Sequence, residues 1–172
     1  MVNEKSVLIS IQPKWCELIA SGRKTIEVRK TRPNIEMPFK VYIYCTKQKV
    51  NGEILLTYDK KVVGRNRGFR DDGDIPLAGK VIGEFVCDSI SIFRPKSITC
   101  ESTIKKASCL TVKELIDYAG SKNHIFGWHI SNLKIYDKPK ELIEFQKIPR
   151  KLPFDPVQKP PQSWCYVEEW RI

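Results

Sequence analysis

Three charged side chains stand close together in the segment SGRKTIEVRK: Lys24, Glu27 and Arg29. Residues two positions apart on a strand point to the same face, so Glu27 and Arg29 would lie side by side. An arginine can hold a phosphate or a carbonyl oxygen with two donors, and a lysine adds a point charge. A glutamate between them could accept a hydrogen bond from an amine or a ring N–H of a base. These residue types would suit a site for a nucleotide-like ligand.

The position of Lys24 decides whether the three charges can form one site. Strand alternation would put Lys24 on the opposite face, with Ile26, if the strand began that early. Gly22 permits a bend that would bring Lys24 to the face of the other two. On the residues alone, the commoner explanation is a solvated strand face with an ion pair that contributes roughly 0–1 kcal/mol. A ligand site and a solvated face therefore both fit the pattern.

The residues before this segment predict a strand followed by a short helix. The apolar run SVLISI has the length and composition of a strand. Pro13 suits the first turn of a helix, and Gly22 suits its C-terminal end. One helix face would be apolar: Trp15, Leu18 and Ile19. We expect Trp15 to face the core; the alternative is a position at the rim of a site, where it would stack on a base.

The rest of the chain is rich in strand patterns. Four more segments have strand composition: FKVYIYC, GKVIGEFVCDSISIF, HIFGWHIS and LKIYDKPKELIEF. Gly83, in the second of them, predicts a bulge or a close backbone approach. A second helix follows Thr111 and Glu114, which have the spacing of a capping box. Many short strands with two or more short helices predict an α+β, mostly β fold, arranged as a small β-barrel.

The C-terminal segment is rich in proline. Residues 149–172 carry five prolines before a short aromatic strand, Trp164 to Trp170. We expect this extension to run across the body of a domain at residues 1–148 and to add an edge strand. Trp164 and Tyr166 share one face of that strand, so they would pack on the barrel or, alternatively, stack on bases.

Charge and composition limit the classes of function. The net charge of +10 makes a polyanion such as nucleic acid a reasonable partner. No apolar run approaches the length of a membrane span and the first residues resemble no signal peptide, so we expect a cytoplasmic protein without a membrane partner. The six cysteines include no C-x-x-C pair, so we expect free thiols, no metal site and no cofactor.

Two further groups could contact a ligand. In the segment 63–74, Arg65, Arg67 and Arg70 surround Phe69, which suits phosphate contact combined with stacking. A solvated loop, partly neutralised by the aspartates that follow, explains the same composition equally well. A histidine suits acid–base work near neutral pH, which makes His129 a candidate, although a structural histidine is more common.

The opening SIQPKWCELIASGRKTIEVRKTRP is similar to that of ASCH-domain proteins, which belong to the PUA-like superfamily. Their motif G-x-K-x-x-E-x-R is present as Gly22, Lys24, Glu27 and Arg29. GKVIGEFVCD and HIFGWHISNLKIYDKPKEL resemble later strands of such domains, so the resemblance covers roughly residues 5–148 apart from 46–79. The tail resembles an extension of some bacterial or phage members. The resemblance implies a PUA-like barrel of five or six strands, a cleft beside the first helix and an RNA-related role.

Some relatives in this family are amidohydrolases that act on an acylated cytidine nucleoside. The resemblance implies that their lysine matches Lys24 and that it works with a threonine three residues later and an acid just before the second helix. Here Glu27 occupies the place of the threonine, and Ser108 lies near the expected acid. The amidohydrolase chemistry of those relatives is therefore not carried over to this chain. A ribonuclease activity has been proposed for other members, but no acid–base pair in this sequence compels it.

The sequence thus predicts a module that binds RNA or a nucleotide-like ligand. The expected ligand-binding residues are Lys24, Glu27, Arg29, Trp15, Arg65, Arg67, Arg70 and His129. The alternative is a hydrolase acting on a modified nucleoside or on RNA, with Lys24 and Glu27 as its reactive groups. A third hypothesis is an adaptor whose proline-rich extension docks a protein partner.

Overall fold

The structure is a computed structural model that describes residues 5–50, 53–55, 77–99 and 102–169. The segment 63–74, with Arg65, Arg67 and Arg70, lies outside the described residues. The RNA contacts expected of those arginines therefore stay a prediction.

Short strands and shorter helices alternate along the chain. The strands are β1 (Ser6–Ile11), β2 (Ile26–Arg29), β3 (Phe39–Cys45), β4 (Gln48–Val50), β5 (Glu53–Leu55), β6 (Val81–Cys87), β7 (Ile90–Phe93), β8 (Ile125–His129), β9 (Ser131–Lys140), β10 (Phe145–Lys147) and β11 (Trp164–Glu169). The helices are α1 (Pro13–Ala20), α2 (Thr103–Ser108) and α3 (Val112–Ala119), with 3₁₀ turns at Pro95–Ser97 and Leu142–Glu144. This mixed, mostly β architecture is the predicted fold class.

The strands form one large and one small sheet, with β4 and β5 as a separate hairpin. The large sheet has the order β10-β11-β1-β3-β6-β9, and the small one β2-β8-β7. The pairing of β1 with β3 is parallel, whereas the other neighbours are antiparallel. All six residues of β1 are buried, as expected of a central strand with both faces covered.

Three apolar clusters hold these layers together. The first joins the two sheets, because Trp128 of β8 packs among residues of β1, β3 and β6. The second lies on the other face of the large sheet and includes Leu8, Tyr42 and Phe145. The third lies between the small sheet and the helices α2 and α3, and it includes Val28 of β2, Ile104 of α2 and Leu115 of α3. The third cluster thus fixes both helices beside β2.

The expected edge position of the C-terminal strand is wrong. β11 lies between β1 and β10, so both of its edges are hydrogen-bonded. The reason is that Phe145–Lys147, just before the proline-rich extension, forms a strand of its own and covers the outer edge of β11. The composition of the extension predicts a strand, but it does not specify the neighbours of that strand.

Several local expectations can be compared with the structure. The segment GKVIGEFVCDSISIF forms two strands in different sheets, β6 and β7, rather than one long strand. The close approach predicted at Gly83 is confirmed, since a Cβ there would lie 2.5 Å from the carbonyl oxygen of Lys134. Helix α2 was not predicted. The cysteines that the structure describes are free: Cys16, Cys45, Cys87, Cys109 and Cys165. Within the described ranges, no helix is both long enough and apolar enough to cross a membrane.

Candidate functional site

A bend after α1 brings Lys24 to the charged face of β2. The helix ends at Ala20, and Gly22 has a φ of +75°, a conformation that favours glycine. The Lys24 amide then donates to the Leu18 carbonyl at 2.9 Å, which turns the chain back along the helix. The predicted bend is therefore present, and it overrides the simple alternation that would have separated Lys24 from Glu27.

Strand alternation places the other two charges. On β2, Ile26 and Val28 pack into the third apolar cluster. Glu27 and Arg29 point to the opposite side, as the period of two requires. The strand is held in this register by β8, where Glu27 is paired with Trp128 and Arg29 with Phe126.

The three charges form one connected cluster, which we call the charged triad (Lys24, Glu27 and Arg29). Lys24 Nζ lies 3.3 Å from Glu27 Oε2, and an Arg29 terminal nitrogen lies 2.9 Å from Glu27 Oε1. The three residues are 2%, 6% and 8% exposed, respectively. The solvated strand face, which was the commoner explanation on sequence alone, is therefore wrong.

Backbone carbonyls of distant segments complete the coordination of the triad. Lys24 Nζ donates to the Ser108 carbonyl at 2.8 Å, and Arg29 donates to the Ser10 carbonyl at 2.7 Å. Arg29 also donates to the Ser163 hydroxyl at 3.4 Å. These contacts tie β2 to α2, to β1 and to the residues just before β11. The Nε of Arg29 and the hydroxyl of Ser108 are buried without a hydrogen-bond partner among the described residues.

The triad lies in a cleft of about 490 Å³ between α1 and α3. Gln12 and Trp15 line the cleft near α1, whereas Glu114, Asp117 and Tyr118 line it from α3. The lining is completed by further residues: Ser10, Ile11, Val28, Thr46, Leu110 and Gln162. The cleft thus has charged, aromatic and amide groups within one concavity, which is typical of sites for polar organic ligands.

The α3 side of the cleft is acidic. Glu114 belongs to a capping box, and the hydrogen bond from the Thr111 backbone lowers the pKa of its carboxyl. Asp117 also pairs with the exposed Lys113 at 2.5 Å. Two carboxylates of α3, Glu114 and Asp117, thus line the cleft together with a triad whose net charge is +1.

Tyr118 provides an aromatic surface at the mouth of the cleft. Its side chain is partly exposed, and Lys30 Nζ lies 5.1 Å from its ring centre. Burial raises the pKa of the phenol, so Tyr118 keeps its proton at neutral pH and remains a hydrogen-bond donor.

Trp15 is another aromatic group of the cleft, and its expected position was wrong in part. The buried residues of α1 are Cys16 and Ile19, so the core-facing stripe is rotated by about one residue from the predicted one. Trp15 lies at the boundary, where it packs on the first apolar cluster and also lines the cleft. Lys24 Nζ is 5.4 Å from the centre of its ring.

His129 lies outside the lining of the cleft. Its Nδ1 is 2.6 Å from Asp88 Oδ1, and both side chains are exposed. This contact lowers the pKa of the Asp88 carboxyl. Of the described residues expected to bind a ligand, the structure therefore brings together Trp15, Lys24, Glu27 and Arg29 and separates His129 from them.

Sequence reasoning missed the α3 side of the site. The spacing of Thr111 and Glu114 predicts the start of the helix correctly, including the capping box. It contains no signal that Asp117 and Tyr118 would face the triad across a cleft. That placement depends on the packing of Leu115 and Ala119 in the third cluster. The described parts of the chain contain no group of three or more side chains that could hold a metal ion.

Comparison with known proteins supports the fold seen here. The chain is similar to a crystal structure of ASCH from Zymomonas mobilis, with a TM-score of 0.60 and 19% identity over 94% of this chain and 86% of that one. Crystal structures of two mutants of that protein are similar to the same degree. One, with a tyrosine replaced by phenylalanine, has a TM-score of 0.60 and 19% identity over 95% of this chain and 90% of that one. The other, with a serine replaced by alanine, has a TM-score of 0.61 and 18% identity over 96% of this chain and 90% of that one.

A comparison with curated protein sequences gives no match. The model of the ASCH domain family matches residues 9–140, which is most of the chain and includes the charged triad and both sides of the cleft. The predicted PUA-like fold is confirmed by this match and by the similar structures. The chain belongs to the ASCH domain family.

Proposed function

We propose that this protein binds RNA or a nucleotide-like ligand in the cleft between α1 and α3. The observation that carries the proposal is the charged triad, in which two cations and one carboxylate are buried and held in place within an open cleft. Preorganised donors of this kind recognise a polar ligand without first having to be ordered.

Donors of the triad suit a carbonyl or phosphate oxygen. The Lys24 ammonium has three donors, and the Ser108 carbonyl and the Glu27 carboxylate account for two of them. With Arg29 beside it, this side of the cleft carries an excess of one positive charge. An oxygen with partial or full negative charge would be stabilised there.

Carboxylates on the α3 side suit the opposite kind of group. Glu114 and Asp117 can accept hydrogen bonds from an exocyclic amine or a ring N–H, and they would repel a phosphate. A nucleobase offers carbonyl oxygens and N–H groups on one planar edge, so it matches both sides of the cleft at once. Its faces could stack on Trp15 or Tyr118, and such stacking contributes about 1–3 kcal/mol per base.

The proposal is tested by the binding of nucleosides and single-stranded RNA in calorimetric titrations. Lys24→Met keeps an unbranched side chain of similar length but removes the cation. We therefore expect it to weaken binding at least tenfold. Lys106→Met is the matched control, since Lys106 is exposed and outside the cleft. Equal affinities of the two variants, measured at a temperature at which both are folded, would contradict a ligand site at the triad.

A hydrolase acting on a modified nucleoside or on RNA is a second candidate. The observation in its favour is the buried Ser108 hydroxyl, which has no hydrogen-bond partner among the described residues and whose backbone carbonyl accepts from Lys24. Against it, both carboxylate oxygens of Glu27 already accept from cations, which leaves this residue poorly placed as a general base. Product analysis after incubation with acylated cytidine nucleosides and with RNA decides between binding and hydrolysis. Turnover that is abolished by Lys24→Met would favour the hydrolase.

A further inference from the structure

A second concavity, of about 340 Å³, lies outside the cleft and is strongly basic. Its lining comes from the end of β7 with the following 3₁₀ turn and from the loop between α3 and β8. We call it the basic pocket, defined by Arg94, Lys96, Lys122 and His124. Ser97 and Asn123 add neutral hydrogen-bonding groups, and none of the described residues that line the pocket is acidic.

Among the described residues, no carboxylate pairs with the three cations of the basic pocket that carry a permanent charge. Arg94, Lys96 and Lys122 are exposed, and none of them forms an ion pair with a carboxylate in the parts of the chain that are described. Other lysines do have such partners: the exposed Lys113 pairs with Asp117, and the half-buried Lys40 pairs with Glu84. Like charges that converge in one concavity repel each other and attract an anion.

Both sides of the basic pocket have a firmly anchored backbone. In the 3₁₀ turn, Pro95 is buried, and the Ser97 amide donates to the Arg94 carbonyl at 2.9 Å. On the other side, the Lys122 amide donates to the Ala119 carbonyl at 3.1 Å. Residues next to both segments, Ile98, Ala119 and Ile125, belong to the third apolar cluster. The positions of the cations are therefore set by the fold, although their side chains remain solvated.

We propose that the basic pocket binds a phosphate group of the same RNA strand whose nucleoside occupies the cleft. This inference rests on the proposed function. Helix α3 connects the two places, because Glu114, Asp117 and Tyr118 line the cleft and the helix ends at Ala119, three residues before Lys122. The carboxylates of α3 repel phosphates beside the cleft. The phosphates of a bound RNA strand are therefore held at the basic pocket, whose cations have no carboxylate partner among the described residues.

The test compares the double variant Lys96→Ala/Lys122→Ala with a control of the same charge, Lys134→Ala/Lys138→Ala. The control lysines are exposed on β9 and lie outside both the cleft and the basic pocket. Binding of a fluorescent trinucleotide and of a twelve-nucleotide RNA is measured by anisotropy at several salt concentrations. All four lysines are exposed, so we expect both variants to fold.

For the twelve-nucleotide RNA, we expect the pocket variant to bind roughly tenfold more weakly than the control variant. Its slope of log affinity against log salt should be less steep by about 1.4, since each phosphate contact on a single strand contributes about 0.7. Trinucleotide binding should be equal in the two variants. Equal affinities and slopes with the longer RNA would overturn the proposal.

The outcomes separate this inference from the proposed function. If Lys24→Met leaves trinucleotide binding unchanged but the pocket variant still loses the longer RNA, the cleft proposal fails and the phosphate site stands. Addition of inorganic phosphate distinguishes a site for a free anion from a site for an RNA strand. The backbone amide signals of Ser97 and Asn123 are followed by NMR during this titration. If they shift with phosphate while the pocket variant keeps its full RNA affinity, the pocket binds a small anion and the assignment to RNA is overturned.

Discussion

The charged triad and the basic pocket contain the same kinds of cation in opposite environments. In the triad, Lys24 and Arg29 are buried, and each is paired with Glu27 and with a backbone carbonyl. In the basic pocket, Arg94, Lys96 and Lys122 are exposed and have no carboxylate partner among the residues described. The first arrangement is a rigid part of the fold, whereas the second depends on solvent and counterions.

This difference predicts where stability and where affinity reside. Taking charges out of water costs free energy that only good pairing offsets, so breaking a buried pair by removing one partner is strongly destabilising. Exposed cations have no such cost, and their removal changes long-range attraction and salt dependence instead. Substitutions in the triad should therefore lower stability as well as ligand binding in the cleft, whereas substitutions in the basic pocket should change binding alone.

The largest expected effect on stability is that of Glu27→Gln. The change leaves Lys24 and Arg29 buried without their shared carboxylate, and we expect it to lower the free energy of unfolding by about 3–5 kcal/mol. Urea denaturation measures this loss. Asp117→Asn is the control, because it removes a carboxylate from an exposed ion pair and should hardly change the urea midpoint. Similar urea midpoints for the two variants would contradict the view that the buried triad contributes more to stability than exposed ion pairs do.

Arg29→Lys should have the next largest effect. The variant keeps the charge but loses the planar group that reaches Glu27, the Ser10 carbonyl and the Ser163 hydroxyl together. We expect a loss of about 2 kcal/mol in the free energy of unfolding, since hydrogen bonds from charged groups contribute about 1.5–3 kcal/mol. Arg94→Lys in the basic pocket is the matched substitution, and it should leave the unfolding curve unchanged. A stable Arg29→Lys protein would mean that charge alone is sufficient at this position.

Thr111→Ala tests how firmly α3 forms its side of the cleft. The Thr111 hydroxyl accepts from the Glu114 amide at 3.1 Å, and loss of such a cap costs about 1 kcal/mol. Thermal melting gives the loss of stability. If the cleft binds a nucleoside, the same variant should bind it more weakly, because Glu114 and Tyr118 are then held less firmly. Thr111→Ser, which keeps the hydroxyl, should retain both properties.

The smallest expected effect is at the surface pair of Asp88 and His129. The contact lowers the pKa of Asp88 from its ordinary value of 3.8, so its stabilising effect is present above that pH and is lost as the pH falls through the lowered pKa. We expect Asp88→Asn to cost less than about 1 kcal/mol at neutral pH, since the pair is exposed. Urea midpoints of the two proteins should converge as the pH falls from 3.8 through the lowered pKa of Asp88. A constant difference across this range would contradict a role for the charge.

Local patterns in the sequence predicted the parts of the site that depend on backbone geometry. The period of two put Glu27 and Arg29 on one face of β2, and the glycine at position 22 allowed the bend that adds Lys24. The spacing of Thr111 and Glu114 likewise predicted the start of α3. Such features follow from the dihedral preferences and hydrogen bonds of neighbouring residues, so a short stretch of chain contains all the information they need.

Long-range packing decided the rest. The sequence determined which charges stand on β2, but only the tertiary structure buried them, because the carbonyls that pair with Lys24 and Arg29 belong to Ser108 and Ser10, in other elements. It also placed Tyr118 across the cleft and put β11 inside the large sheet. The burial of a residue depends on segments far away in the chain, and no periodicity in a single segment reports which of them will cover it.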